Sequence, residues 1–141
     1  MNQRITQATK IGDVKRAWHV IDVDGKVLGR VATQIAGLLM GKSKPTFVRN
    51  LDCGDYVIIV NAEKVRVTGK KEEQKEYYRY SGYPGGLTIE KLRNLRARRP
   101  EEIIMRAVKG MLPQNRLRDG MLKRLKVFVG PEHIYADKLK T

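Results

Sequence analysis

Three groups of residues in this chain have types and spacings that could do chemistry. Gly37-Leu38-Leu39-Met40-Gly41-Lys42-Ser43 has the look of a phosphate-cradling loop, but that loop needs four residues between its glycines and here there are three. Such a loop also follows a strand and opens a helix, whereas here the glycine and lysine close one. Gly41 therefore reads as a helix C-cap, with Lys42 and Lys44 free to contact a nucleic-acid backbone. Asp22 and Asp24, with His19 nearby, suggest a metal or acid/base pair. An Asp-Gly turn after a strand accounts for them more simply, and a metal site needs further ligands that this segment does not offer. Cys53 is the only cysteine, so no internal disulfide can form, which suits a reducing compartment. Two histidines and one cysteine are too few for a structural zinc site. No catalytic residue, metal ligand or cofactor is expected.

What remains is charge. The chain carries 29 Lys and Arg against 15 Asp and Glu, a formal net charge of +14. A field of that sign concentrates phosphate-bearing partners and makes their binding depend steeply on salt. The excess is concentrated. Between residues 90 and 126 there are twelve Lys and Arg against four carboxylates, and the stretch from Lys109 to Lys126 threads its basic side chains through a regular apolar framework. A basic run taken alone is usually a solvated face. Here it accompanies glycine-containing loops, Gly69-Lys70-Lys71 and Tyr83-Pro84-Gly85-Gly86, that let backbone approach a ligand. Tyr77, Tyr78, Tyr80 and Tyr83 could in addition stack on unpaired bases or pack in the core. No run approaches the roughly 18 apolar residues of a spanning helix, so no membrane partner is expected, and with no catalytic cluster no small-molecule substrate is expected either. The start, MNQRITQATK, has no apolar h-region, and a cytoplasmic protein is expected.

The elements that must position these residues alternate. At 141 residues the chain fits one domain. Residues 1–15 read as an arm, 16–130 as a single α/β RNA-binding domain and 131–141 as a tail. Trp18 to Val23 reads as a strand closed by the turn Asp24-Gly25. Leu28, Val31, Ala32, Ile35 and Leu39 then recur at helical spacing up to Gly41 and Pro45. The β-branched run Tyr56 to Val60 has the pattern of a strand covered on both faces, and is expected at the sheet centre. Val65 to Thr68 is a shorter alternating strand. Residues from Tyr77 to Gly86 read mostly as loop. Thr88 is a candidate cap for a helix reaching about Arg96. Pro100, Glu101 and Glu102 suit a helix start, with Ile104, Ala107, Val108 and Met111 on its inner face and Pro113 beyond its end. Leu117, Met121 and Leu125 are spaced for burial by a last helix that leaves Arg116, Lys123 and Arg124 outside, and Lys126 to Val129 suits a closing strand. This alternation predicts an α/β domain with a mostly parallel sheet sandwiched by helices.

Several segments, in order and at compatible spacing, carry a resemblance. They are Trp18 to Asp22 with Gly25-Lys26-Val27-Leu28-Gly29-Arg30, then Gly54-Asp55-Tyr56 to Asn61-Ala62, Val67 to Lys71, and Tyr80-Ser81-Gly82-Tyr83-Pro84-Gly85-Gly86. The most specific is Ala107-Val108-Lys109-Gly110-Met111-Leu112-Pro113, followed by Leu125-Lys126-Val127. Over roughly residues 16 to 133 the chain resembles the bacterial large-subunit ribosomal proteins of the L-thirteen family. The resemblance implies a three-layer α/β/α domain with a four-stranded parallel core sheet, no catalysis, and a place in the large ribosomal subunit early in its assembly. The implied partners are large-subunit ribosomal RNA and neighbouring large-subunit proteins. RNA-facing elements carried over by position are Gly41-Lys42, the Gly69 to Lys71 loop, the Tyr80 to Gly86 loop, and Lys109 to Pro113 with the basic helix after it. Two departures stand out. This chain has Leu117-Arg118-Asp119 where the family reads Leu-Gly-Arg, and its tail continues Ile134-Tyr135-Ala136-Asp137-Lys138 after His133.

Charge pattern and resemblance together give an expected RNA-binding set. It comprises Lys42, Lys44, Arg49, Lys70, Lys71, Arg79, Tyr80, Tyr83, Gly85, Gly86, Arg96, Arg98, Arg99, Lys109, Gln114, Asn115, Arg116, Arg118, Lys123, Arg124 and Lys126. Lys and Arg would neutralise phosphates while glycine loops bring amides to the backbone, so that folded RNA shape is read. Substituting Lys123 and Arg124 together by Glu should then leave the fold intact. Two alternatives share parts of the pattern: a nucleotide-dependent enzyme on the same sheet, which lacks a phosphate loop after its first strands, and a free regulator of messenger RNA.

Overall fold

The computed structural model describes residues 8–139. The first seven residues of the arm and the last two of the tail lie outside the described residues. Alternation of strand and helix builds a parallel sheet as the sequence suggests. Strand β1 (Trp18–Asp22) runs into helix α1 (Leu28–Met40) and returns as β2 (Tyr56–Val60). A long excursion follows: a one-turn helix α2 (Lys71–Gln74), strands β3 (Glu76–Tyr80) and β4 (Leu87–Lys91), then α3 (Leu92–Arg98), α4 (Pro100–Met111) and α5 (Leu117–Lys123). The chain closes with β5 (Leu125–Val127). The order β1-β2-β5 is parallel throughout, with β2 in the centre. Among the described residues no helix is long and apolar enough to cross a membrane.

The central strand is buried for the reason its composition gives. Val57, Ile58 and Ile59 are inaccessible to solvent, and burying each such side chain contributes about 1.5–3 kcal/mol. Val57 and Ile59 point to one face, where α1 supplies Val31, Ala32, Ile35, Ala36 and Leu39, α4 supplies Ile104 and Val108, and α5 supplies Met121. The inner face of α4 ends on Leu112 rather than Met111, which is 42% exposed, because Ile104, Val108 and Leu112 lie four apart and Met111 falls outside that row. Pro100 occupies the helix start and Glu101 and Glu102 its first turn, as read from the sequence.

Four expectations are corrected. Among the described residues the sheet has three strands where four are expected, because Asn61 turns left-handed at φ 60 and a short 3-10 turn at Ala62–Lys64 carries the chain away from the sheet. The expected strand at Val65 to Thr68 is reduced to one isolated parallel bridge, between Val27 and Arg66. Thr88 does not cap a helix. It sits in β4 opposite Arg79, and the loop expected from Tyr77 to Gly86 is instead the start of an antiparallel hairpin, β3 with β4. On the sheet face away from α1, Trp18 stacks on Tyr56 with ring centroids 4.2 Å apart, and Tyr135 stacks on Trp18 at 5.4 Å. Aromatic side chains, one of them from the C-terminal segment, thus lie where the sequence suggests a second helical layer.

The beginnings of all three parallel strands are tied together by a polar node. Arg124, immediately before β5, is 7% exposed and reaches across the sheet end. Both of its terminal nitrogens donate to the Asp52 carboxylate, and Nη2 also donates to the Leu39 carbonyl at 3.2 Å, satisfying one of the open carbonyls of α1. Asp55, immediately before β2, accepts from the Lys44 ammonium and from the Ala17 N–H at 2.9 Å, and lies 3.0 Å from His19 Nε2. Lys44 also donates to the carbonyls of Lys15 and Cys53, and Arg16 donates to that of Gly54 at 2.8 Å. Gly41 ends α1 at φ 75 with the Cys53 carbonyl 2.5 Å from where a Cβ would stand, which confirms the C-cap reading and explains why the chain can pass so close.

Burial pushes the Asp55 carboxyl up, but hydrogen bonds from Lys44, Ala17 and His19 outweigh it and hold the group below the ordinary carboxylate value. Its contribution to stability is therefore complete above the unfolded value of about 3.9 and is lost as pH falls through the lower folded value. Between about pH 5 and pH 2, the unfolding free energy of Asp55→Asn is expected to fall less steeply than that of the wild type, as read by urea denaturation at each pH. At neutral pH, Arg124→Ala is expected to cost about 3–5 kcal/mol, since it removes the bidentate partner of Asp52 and leaves only Arg16 among the described cations beside it, at 3.8 Å. A loss below about 1 kcal/mol in the same melts would show that the node is not structural.

Candidate nucleic-acid interface

The expected RNA-binding residues divide by what their side chains already hold. Three cations spend their charge inside the fold. Arg124 is buried, contrary to the expectation that the last helix leaves it outside, because it lies one residue past α5 and turns under the sheet. Lys44 is half-buried on Asp55. Arg96 is half-buried too: its guanidinium takes the two Glu72 oxygens at 2.8 and 3.0 Å and donates to the carbonyls of Glu63 and Val65. The glutamate substitution at Lys123 and Arg124 together would thus break the node as well as the surface.

The remaining cations face solvent. Lys42, Arg49, Lys70, Lys71, Arg79, Arg98, Arg99, Lys109, Arg116 and Lys123 are exposed, and Arg118 and Lys126 are half-buried. Lys42 borders a recess at the end of α1, apart from the others. Between α4 and α5, Gln114 and Asn115 are exposed, but the side-chain Oδ1 of Asn115 accepts from the Leu117 N–H at 3.1 Å at the start of α5. Arg118 Nε is the one buried side-chain polar atom without a partner among the described residues.

The fold does bring one group together. The inner side of the hairpin and the start of α4 enclose a cleft of ≈ 500 Å³ lined by Arg79, Arg98, Arg99 and Arg106, with Ser81, Gly86 and Thr88 at its rim. Two carboxylates share it: Glu90 pairs with Arg98 at 2.8 Å, and Glu102 pairs with Arg99 at 3.1 Å and Arg106 at 2.9 Å. Those two arginines, Arg99 foremost, hold Glu102 below the ordinary carboxylate value against an opposing push from burial. Tyr77 anchors the hairpin to the body by packing on Leu92, Leu95 and Ile103, while the Arg106 guanidinium lies 5.0 Å from its ring centre. Burial raises its phenol above the ordinary value. A smaller recess of ≈ 240 Å³ beside the start of α1 collects Lys71, Lys75 and Arg106. The hairpin loop is closed by Gly86 N–H donating to the Tyr83 carbonyl at 2.9 Å, with Gly85 at φ 73, so Tyr80, Tyr83, Gly85 and Gly86 stand together at the hairpin turn.

The acid pair considered at Asp22 and Asp24 is a turn. Asp22 accepts from the Asn61 amide at 2.8 Å and from the Asp24 N–H at 3.0 Å, which together hold it below the ordinary carboxylate value. His19 is committed elsewhere, to Asp55. Sequence reasoning missed Asp52, Asp55 and Arg16, which have no local signature, and missed Leu87, Ile89 and Arg106 around the hairpin; Tyr78 reads as able to stack on bases but is left out of the expected RNA-binding set. Alternation on both sides of Tyr83-Pro84-Gly85-Gly86 is a hairpin signal that could have found the second group.

Fold and surface define a strongly basic α/β domain built on a parallel sheet, with four of its arginines gathered around an added hairpin. The family model described as Ribosomal protein L13 matches residues 16–134, and the chain belongs to that family. It is 56% identical over 133 residues to a Dehalococcoides mccartyi protein, covering 94% of this chain and 93% of the other. It is also 56% identical over 124 residues to one from Symbiobacterium thermophilum (88% and 87% covered), and over 128 residues to one from Aquifex aeolicus (91% and 89%). Each of these relatives is called large ribosomal subunit protein uL13.

The partition of the arginines is open to measurement. Arg98→Ala and Arg99→Ala, which remove exposed pairs, are each expected to change stability by less than about 1 kcal/mol. Arg96→Ala leaves two carbonyls and Glu72 unsatisfied and is expected to cost about 2 kcal/mol in chemical denaturation. Equal effects at all three positions would contradict the division.

Proposed function

We propose that this protein is a structural constituent of the large ribosomal subunit that binds large-subunit ribosomal RNA and joins it early in assembly. The observation that carries the reading is membership of the ribosomal protein L13 family, with relatives named as large-subunit proteins matching nearly the whole chain at 56% identity. Its role is architectural, not catalytic. Exposed cations support the binding: Lys109, Arg116 and Lys123 lie along α4, α5 and the turn between them, and Arg79, Arg98 and Arg99 line the hairpin cleft. Each phosphate neutralised by such a side chain releases condensed counterions, which supplies much of the affinity. The rigid sheet and its node hold these cations in one layout, so that a folded RNA is recognised by the arrangement of its phosphates. Neighbouring large-subunit proteins are the second class of partner in this reading. Lys44, Arg96 and Arg124 belong to the scaffold that presents the surface.

Arg116→Glu combined with Lys123→Glu is expected to keep the wild-type melting behaviour, since both side chains are exposed, and to weaken binding to purified large-subunit RNA. The plot of log affinity against log salt should become shallower by about 1.5 in slope, the share of two phosphate contacts. An unchanged affinity and slope would remove this surface from the interface. Sedimentation of a cell lysate tests the reading as a whole: the protein is expected with large subunits in moderately high salt, and a peak at the position of free protein would overturn it.

A further inference from the structure

Only one face of the β3–β4 hairpin is used by the fold. In the antiparallel register Tyr78 stands opposite Ile89 and Tyr80 opposite Leu87, so these four side chains share a face. They are 64, 51, 64 and 55% exposed respectively, and Tyr83 in the connecting loop is 76% exposed. The alternate residues, Tyr77, Arg79, Thr88 and Glu90, line the cleft on the other side, whose border Ile89 also reaches. An exposed face of aromatic and aliphatic groups is costly unless something covers it.

We propose that this outward face is a stacking platform for consecutive unpaired bases of RNA, a proposal that rests on the RNA-binding reading above. Tyr78 and Tyr80 are two residues apart on an extended strand, which sets them about 7 Å apart along it. That is roughly twice the 3.4 Å that separates stacked nucleotides of one strand, so each ring can take a base of its own from a splayed strand. Stacking on tyrosine tolerates any base, because every base has a π-face. Leu87 and Ile89 give the platform an apolar floor.

The charges around the face suit a polyanion rather than an apolar protein surface. Glu76, the carboxylate on this side, accepts from the Tyr78 hydroxyl at 3.0 Å and stands opposite Lys91 in the register. Arg79 lies between the two tyrosines in sequence and projects to the reverse side of the strand, into the cleft it shares with Arg98, Arg99 and Arg106. The carboxylates of that cleft are both already paired. Bases on one side of β3 and phosphates at its edge toward the arginines match the two chemistries of a single strand.

The test compares the Tyr78→Leu/Tyr80→Leu double variant with Tyr78→Phe/Tyr80→Phe and the wild type, using a short oligouridine and large-subunit ribosomal RNA as probes. Circular dichroism and melting temperature confirm that each variant is folded. The leucine pair is expected to lose roughly tenfold or more in affinity for oligouridine, with the salt slope unchanged because no phosphate contact is removed. The phenylalanine pair, which keeps the rings, is expected to bind as the wild type does. Wild-type affinity for oligouridine in the leucine pair, an equal loss in the phenylalanine pair, or no wild-type binding to oligouridine would each overturn the platform. So would a leucine pair that binds RNA normally but no longer sediments with large subunits, since the face would then contact a protein. Binding of wild type and leucine pair to ribosomal RNA with the same affinity and slope would sink the platform alone. Failure of the wild type to bind ribosomal RNA at all would sink the RNA-binding reading beneath it.

Discussion

The bidentate pairing of Arg124 with Asp52, in contact with the Lys44–Asp55 pair, is the constraint on which the rest of the molecule depends. A parallel sheet cannot be closed by short hairpins, so the starts of its strands arrive from distant parts of the chain and must be aligned by something else. Here the node does it: Asp55 precedes β2, Arg124 precedes β5, Ala17 and His19 flank the first residue of β1, and Leu39 belongs to the last turn of α1. Four segments, joined by hydrogen bonds that span as many as 85 residues, are held by groups that cannot be left unpaired away from water.

The node also explains why so basic a protein folds. Net charge of +14 works against compaction. Burying part of the positive charge against Asp52, Asp55 and Glu72 turns some of that liability into cross-links, while the surplus stays in water at high dielectric, where mutual repulsion is weak. One class of residue thus serves two purposes. Lys44, Arg96 and Arg124 are fasteners, and Lys109, Arg116 and Lys123 form the outer field.

The hairpin carries the opposite combination. It is attached through Tyr77 to the small core of Leu92, Leu95 and Ile103, apart from the larger core around α1 and β2. Two strands alone bury too little to be stable, so one face must rest on a helix. That requirement turns Tyr77 and Glu90 toward the body, with Arg79 and Thr88 on the same side over the cleft, and, by the period of two, sets Tyr78, Tyr80, Leu87 and Ile89 on the opposite face. The exposed aromatic face proposed for stacking follows from how the hairpin is anchored.

By itself the sequence determined the class of the domain, because local signals are sufficient for it: the β-branched run of β2, the helical spacing from Leu28 to Leu39, Pro100 at the start of α4 and Gly41 at the end of α1. It also carried the sign and concentration of charge, and the motifs by which the family is recognised. Strand boundaries were less legible near Val65, where a left-handed Asn61 removes a strand that propensity favours. Tertiary structure alone decided which cations face out. Lys123 and Arg124 are adjacent in the chain and alike in charge, yet Lys123 is exposed and Arg124 buried. One residue of helical rotation, and a carboxylate 72 positions away in the chain, separate their surroundings. Ion pairing of that kind is set by proximity in space and leaves no periodic trace along the chain, so it appears only once the strands are brought side by side.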